Sequence, residues 1–408
     1  MRIAAAVSAS LAVIAVSACA PVDTSADGVA VAPDAGPVWT GADGGDGGSG
    51  AGGAPSVDGG AADGGERDAG APDAGPADAG AAGGTAGACD GIVPAQNPTG
   101  RSVQIAHGAG QVCFNFTSDQ QGTVAGESHA GNSTPRWQLW SAEGKQSGSC
   151  SADFGFFGQP SGFSGTARES SSTSYVRWSA SCAEQKRVLL GGSGCRGQAF
   201  FAVGGGNLVL GGCGGGALTA SRFDRDGNLV ASHAVADKLL EAAGLVDAQG
   251  RALVVAWPGN ALGFKSRFVG RWLDASLAPT TDWFELPGSG DSAFLRPLIG
   301  GGGAMQASSS WVAVIGSGEA GWHGPPAWLQ SHPLHDVIVI RQGRGYALVP
   351  KFGASGARDE LQLFTASGEQ CGAGKFDAEG LALGLDGTVI GSSGQGGCTM
   401  TWWPGVLR

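Results

Sequence analysis

The sequence predicts an all-β fold: a β-propeller-like repeat of about six blades, preceded by a disordered stalk. An irregular β-sandwich is the alternative architecture. Three observations carry this expectation. Past Cys89, short apolar runs recur every 42 to 51 residues. Helix signals are nearly absent in the same stretch. The composition also changes abruptly there, with eleven of the twelve tryptophans after Cys89 and an Ala, Gly, Asp and Pro tract before it.

The chain opens with Arg2 followed by "IAAAVSASLAVIAV". That apolar run is shorter than the ~17–25 residues a membrane-spanning helix needs and suits the core of a secretory signal. It ends in Val16-Ser17-Ala18-Cys19. These four residues resemble the lipobox of bacterial lipoprotein precursors. The resemblance implies cleavage before Cys19 and lipidation of that cysteine, with residues 1–18 removed as the signal peptide.

Residues 19–88 read as the stalk. Stretches such as "GADGGDGGSGAGGAPSVDGGAADGG" contain too little apolar area to offset chain entropy, so disorder is expected. A flexible coil of this length reaches roughly 45 Å. The tract also explains the net charge. It contributes −10, residues 89–408 contribute −2 and Arg2 adds +1, giving the −11 of the whole chain. The folded part is close to neutral, which argues against a nucleic-acid partner.

Nine cysteines are present. With Cys19 set aside for lipid, the remaining eight suit up to four disulfides in an oxidising compartment. One pair is expected, Cys371–Cys398, which would close a 27-residue loop between successive hairpins. No C-x(2–4)-C pair supports a zinc site.

Within residues 89–408 the recurring runs are "NLVLGG" at 207, "ALVVAW" at 252, "GAMQAS" at 303, "GYALVP" at 345 and "GTVIGS" at 387. Each is short and flanked by glycine, as expected of a strand buried on both faces. Amphipathic hairpins follow several of them, for example "SRFDRDGNLVASH" and "LQLFTASGEQCGAGKF". "WQLWSAEGKQSGSC" repeats that plan at the front. About four strands per unit at this period define propeller blades. The chain ends on half a repeat, which predicts ring closure by an N-terminal strand, with "QVCFNF" the candidate. "ADKLLEAAG" (236–244) is the one segment that reads as a helix.

Several motifs look chemical and are weighed against simpler readings. "WVAVIGSGEAGW" holds the spacing G-x-G-x-x-G and is followed by "DVIVIR", ending on Arg341. A dinucleotide site needs a helix after the glycines, but Gly324, Pro325, Pro326 and Pro333 interrupt it. Two ordinary strands are expected instead, and no cofactor. Uncharged stretches at 197–221 and 297–318 are too rich in glycine to span a membrane. "DRDGN" (224–228) reads as a hairpin turn rather than a calcium loop. His323, His332, His335 and Asp336 are the candidates for a metal or proton-relay site. The tryptophans read chiefly as packing between blades, with a glycan platform as the alternative.

Taken with the Asp/Gly/Ala stalk and the terminal "DGTVIGSSG" and "WWPGVLR", the lipobox makes the chain similar to the predicted lipoproteins of high-GC Gram-negative bacteria, the myxobacterial kind especially. That resemblance transfers no activity. It implies a cell-envelope location, lipid-anchored to a bilayer. Ala20 after Cys19 favours the outer membrane over the inner. The expected role is non-enzymatic, a binding or scaffold protein with a protein or glycan partner. The alternative is a hydrolase or lyase acting on polysaccharide in the propeller channel.

Overall fold

A computed structural model describes Cys89 and residues 99–407, apart from 106–111, 120, 130–135, 153, 170, 193, 215, 239, 258–261, 333–334, 341–342, 351–359, 385 and 394–398. The signal peptide, Cys19 and the stalk expectation lie outside the described residues.

The described residues form seven antiparallel sheets, six of four strands and one of three. Blade 1 comprises β2 (Val112–Ser118), β3 (Val124–His129), β4 (Arg136–Trp140) and β5 (Gln146–Ser151). Blade 2 comprises β6 (Phe154–Gln159), β7 (Gly162–Glu169), β8 (Ser172–Trp178) and β9 (Glu184–Gly192). Blade 3 holds β10 (Cys195–Phe201), β11 (Asn207–Cys213), β12 (Leu218–Phe223) and β13 (Leu229–Ala236). Blade 4 holds β14 (Glu241–Val246), β15 (Ala252–Trp257), β16 (Phe268–Leu273) and β17 (Phe284–Leu286). Blade 5 has only β18 (Ala293–Pro297), β19 (Gly303–Ala307) and β20 (Ser310–Ile315). A short helix, α1 (Ala327–Gln330), precedes blade 6, which runs β21 (His335–Val339), β22 (Gly345–Pro350), β23 (Glu360–Thr365) and β24 (Gln370–Lys375). Blade 7 takes β25 (Glu379–Leu383), β26 (Val389–Ser393) and β27 (Thr399–Trp403) from the end of the chain, and β1 (Arg101–Gln104) from its start.

The blade count is therefore seven rather than about six. The five recurring apolar runs are the second strands of blades 3 to 7, and β15 and β22 are buried at every position. The second strands of blades 1 and 2 escaped the pattern because they bury polar groups: Glu127, Ser128, Ser164 and Thr166 are all at most 5% exposed. Ser164 and Tyr175 both donate to Asn207 of blade 3, across the blade interface, whereas Glu127 accepts from Asn115 within blade 1.

Two further expectations are corrected. The ring is closed by β1, not by "QVCFNF", which contributes the innermost strand of blade 1. Arg101 to Gln104 pair antiparallel with Trp402 to Thr399, and Ser102 Oγ lies 2.8 Å from Thr401 Oγ1. The segment expected to be helical instead supplies β14, whose residues Ala242 to Val246 are buried against β15 as an inner strand. Burial on both faces outweighs the local helix preference of Leu, Glu and Ala.

The turns share one design. Asp119, Asp224, Asp247 and Asp274 each accept two backbone N–H bonds on Oδ1, from residues two and four positions on, at 2.8–3.0 Å. Ser179 does the same with its hydroxyl. This is the Asx or ST turn that lets a short polar side chain close a hairpin. The fourth residue of the turn has positive φ. Glycine takes it at 122, 227 and 250, whereas Leu277 adopts φ 67° and is fully buried. "DRDGN" is thus a turn, as expected.

The expected Cys371–Cys398 pair is overturned. Cys371 is bonded to Cys89, across 282 residues of sequence, with Cα atoms 5.2 Å apart. Cys371 lies on β24, the outermost strand of blade 6, and β1 is the outermost strand of the neighbouring blade 7. Nearness in sequence misled because the Cys371–Cys398 hairpins belong to different blades. Two further disulfides are Cys150–Cys182, joining blade 1 to blade 2, and Cys195–Cys213, directly opposite within blade 3. Cys398 and the side chain of Cys113 lie outside the described residues.

Candidate functional site

Blade 5 departs from the plan of the other six, and the sequence-derived candidates cluster beside it. In blades 1 to 4 and 6 the chain turns after the third strand and adds a fourth, and in blade 7 β1 supplies it. After β20 the chain instead leaves the sheet through "GSGEAGWHGPPAW". Only His323 returns to the edge, where its N–H and C=O exchange 2.8 Å hydrogen bonds with Val314. The prolines then turn the chain into α1. Leu329 there is fully buried in the groove between blades 5 and 6, among Leu298, Trp311, Val337 and Leu348. Trp328 stacks on Tyr346 at 5.2 Å. The segment fills an inter-blade groove, so it cannot also complete the sheet.

The result is an open edge. Val314 directs its N–H and C=O away from β19, and over residues 310–312 no strand pairs with that edge among the described residues. The six outermost strands of the other blades carry a charge, a histidine or glycines, as in "EQKRVLLGG", "QCGAGK" and "RSVQ". Such residues discourage edge pairing. β20 reads "SWVAVI" and has none. Beside it stands Trp322, 44% exposed, the one exposed aromatic among the described residues.

The G-x-G-x-x-G fingerprint is not a nucleotide loop. The helix that follows has four residues, and the two apolar runs are β20 and β21 of different blades. Among the described residues, no helix is long and apolar enough to cross a membrane.

The histidines do not converge on a metal. His323 is exposed and its Nε2 lies 3.5 Å from Glu319. His332 Nδ1 is engaged by the carbonyl of Trp328 and by Ser331 Oγ. Its ring meets that of His335 edge-on at 5.3 Å. Asp336 is buried and accepts a 2.8 Å bond from Arg296 Nη2 on the neighbouring inner strand β18. Among the described residues, no three metal-binding side chains come together.

Sequence reasoning missed a different titrating group. Asp119 is fully buried, and its Oδ2 has no hydrogen-bond partner. Burial, with a smaller contribution from Asp386, pushes its carboxyl up to about 6. His335 moves the other way, down to about 4, because burial and His332 disfavour its cation. The two act oppositely on stability. Asp119 binds its proton more tightly when folded, so its contribution weakens folding as pH rises from about 4 to 6. His335 binds its proton less tightly when folded, so its contribution weakens folding as pH falls from 6.5 to about 4. Asp119→Asn keeps the turn acceptor and cannot ionise. The variant is expected to be about 2 kcal/mol more stable at pH 7 and to lose stability on acidification from pH 6.5 to 4. Urea unfolding across that range checks this; a variant no more stable than the parent at pH 7 would refute it.

Nor do the tryptophans form a glycan platform. Trp137, Trp140, Trp178, Trp257, Trp272, Trp311, Trp402 and Trp403 are all under 8% exposed. They pack between blades, as in the 4.4 Å stack of Trp137 on Phe156. Trp283 is half-buried beneath the Arg271 guanidinium.

A closed ring of seven radially arranged sheets, one with an open edge, is a β-propeller. No family model and no curated protein matches the chain. Solved structures similar to it include BamB from Moraxella catarrhalis, at 12% identity over 71% of this chain and 85% of that one, with a TM-score of 0.38. Another is the WD40 domain of coronin from Toxoplasma gondii, at 8% identity over 78% and 90%, with a TM-score of 0.38. A third is a protein of unknown function from Bacteroides caccae, at 10% identity over 67% and 84%, with a TM-score of 0.35. The strand pairing itself defines the propeller.

Proposed function

We propose that the protein is a lipid-anchored scaffold of the cell envelope, exposed to an extracytoplasmic, oxidising compartment and non-enzymatic in role. The observation that carries a binding role is the uncharged open edge of blade 5 beside exposed Trp322. An unpaired strand edge is complementary to an extended polypeptide, so the partner is a protein. Three disulfides support an oxidising location. The lipobox cysteine supports attachment to a bilayer, with the outer membrane favoured by Ala20. Crosslinking and pull-down from membranes tests this, comparing the full-length protein with Cys19→Ala. A partner recovered with the anchored form and lost with Cys19→Ala is the expected result. Recovery of no partner from either form would count against the scaffold.

A further inference from the structure

The segment that leaves blade 5 starts on glycines and ends on an imidazole that meets a second one. Residues 316–332 open with Gly318 at φ 75°, and nothing lies within 4 Å of where a Cβ would sit at Gly321 and Gly324, so that end is free to hinge. Trp328 and Leu329 wedge the segment into the groove between blades 5 and 6. Its far end is latched to blade 5 by Trp311 Nε1, which donates to the His332 carbonyl at 3.1 Å.

His332 and His335 meet edge-on with ring centroids 5.3 Å apart. His332 is fixed by the Trp328 carbonyl and Ser331 Oγ at its Nδ1, and its ring also meets Phe364. His335 Nδ1 is buried and has no hydrogen-bond partner. A proton arriving there creates a buried cation without an acceptor, beside another imidazole. Little around it offsets that cost. Asp336, next to it on β21, favours the cation, but its carboxylate is already engaged by Arg296 of β18. α1 ("AWLQ") and β20 ("SWVAVI") carry no titratable group. β22 brings Tyr346, whose phenol burial keeps neutral. β23 brings Phe364, and its Glu360 is paired with Lys375 of β24.

We propose that residues 316–332 form a lid over the groove between blades 5 and 6, which acid opens through protonation of His335. The lid is closed while that ring is neutral and opens when water replaces the segment around it. Opening uncovers Leu298, Trp311, Val337 and Leu348 and frees the N–H and C=O of Val314 from His323. Burial and His332 hold His335 down at about 4, below the 6.5 of a free ring, so falling pH favours the open form. The lid acts whether or not a partner binds blade 5, so this inference and the scaffold reading stand apart.

Hydrogen exchange on the full chain at pH 7 and pH 5, corrected for the intrinsic pH dependence of amide exchange, tests this. The amides of Leu329 and Ser331, bonded to the carbonyls of Pro326 and Ala327, report opening. Their opening is expected to rise about 20-fold at pH 5, the limit set by a ring that is free when open and held down when closed. β15 keeps its protection, which separates lid opening from unfolding of the ring. His335→Phe and His335→Asn, one apolar and one polar, should each abolish the response. His323→Asn, at the exposed histidine of the same segment, should leave it intact. A parent lid equally protected at both pH values overturns the proposal. So does a response that survives in the His335 variants, that disappears with His323→Asn, or that is matched by lost protection in β15.

Discussion

Replacing Cys89 and Cys371 together by serine is expected to lower the unfolding free energy by up to ~5 kcal/mol. A bond across 282 residues removes more chain entropy from the unfolded state than any shorter crosslink in the molecule. The geometry concentrates that effect at the weakest point of the ring. β1 is four residues long and mostly exposed, and among the described residues its pairing with β27 is the backbone ladder that joins the start of the chain to the blade made by its end. Without the bond, release of β1 exposes the edge of β27. Thermal unfolding should show a loss on the order of 10 °C. An unchanged melting temperature would mean that β1 holds by its own pairing.

The second large effect is expected at the same seam. Trp402 is fully buried where blade 7 meets blade 1, packed with Ile105, Phe116, Val124, Trp140, Ile390 and Met400. Trp402→Ala should cost about 3–5 kcal/mol, since a rigid ring cannot collapse around the cavity. The indole Nε1 is buried without a partner, so an aromatic lacking that donor gives up no hydrogen bond. Trp402→Phe is therefore expected to cost far less than alanine. Chemical denaturation of the two variants checks the ranking; equal losses would show that the indole does more than fill volume.

Much of this was legible without coordinates, for a local reason. Strands such as "ALVVAW" and "GYALVP" are buried on both faces in any blade, so their apolar runs announce themselves, and "DRDGN" closes a hairpin through its own side chain. The first two blades were harder to see. Glu127, Ser164 and Thr166 are polar by composition yet buried, and Ser164 finds its partner, Asn207, only on the neighbouring blade.

What remained was decided across the ring. Whether Cys371 meets Cys398 or Cys89 depends on which strands share a rim, and two cysteines 27 residues apart carry no trace of that. The same holds for "SWVAVIGSGEAGW". As a string it carries the glycine spacing of a nucleotide loop but not the helix after it, and its place at an open edge comes from α1 being drawn into the groove between blades 5 and 6. Local periodicity reports burial, which each strand carries in its own residues. Closure, disulfide partners and the open edge arise from contacts between segments far apart in the chain, and these exist only once the ring has formed.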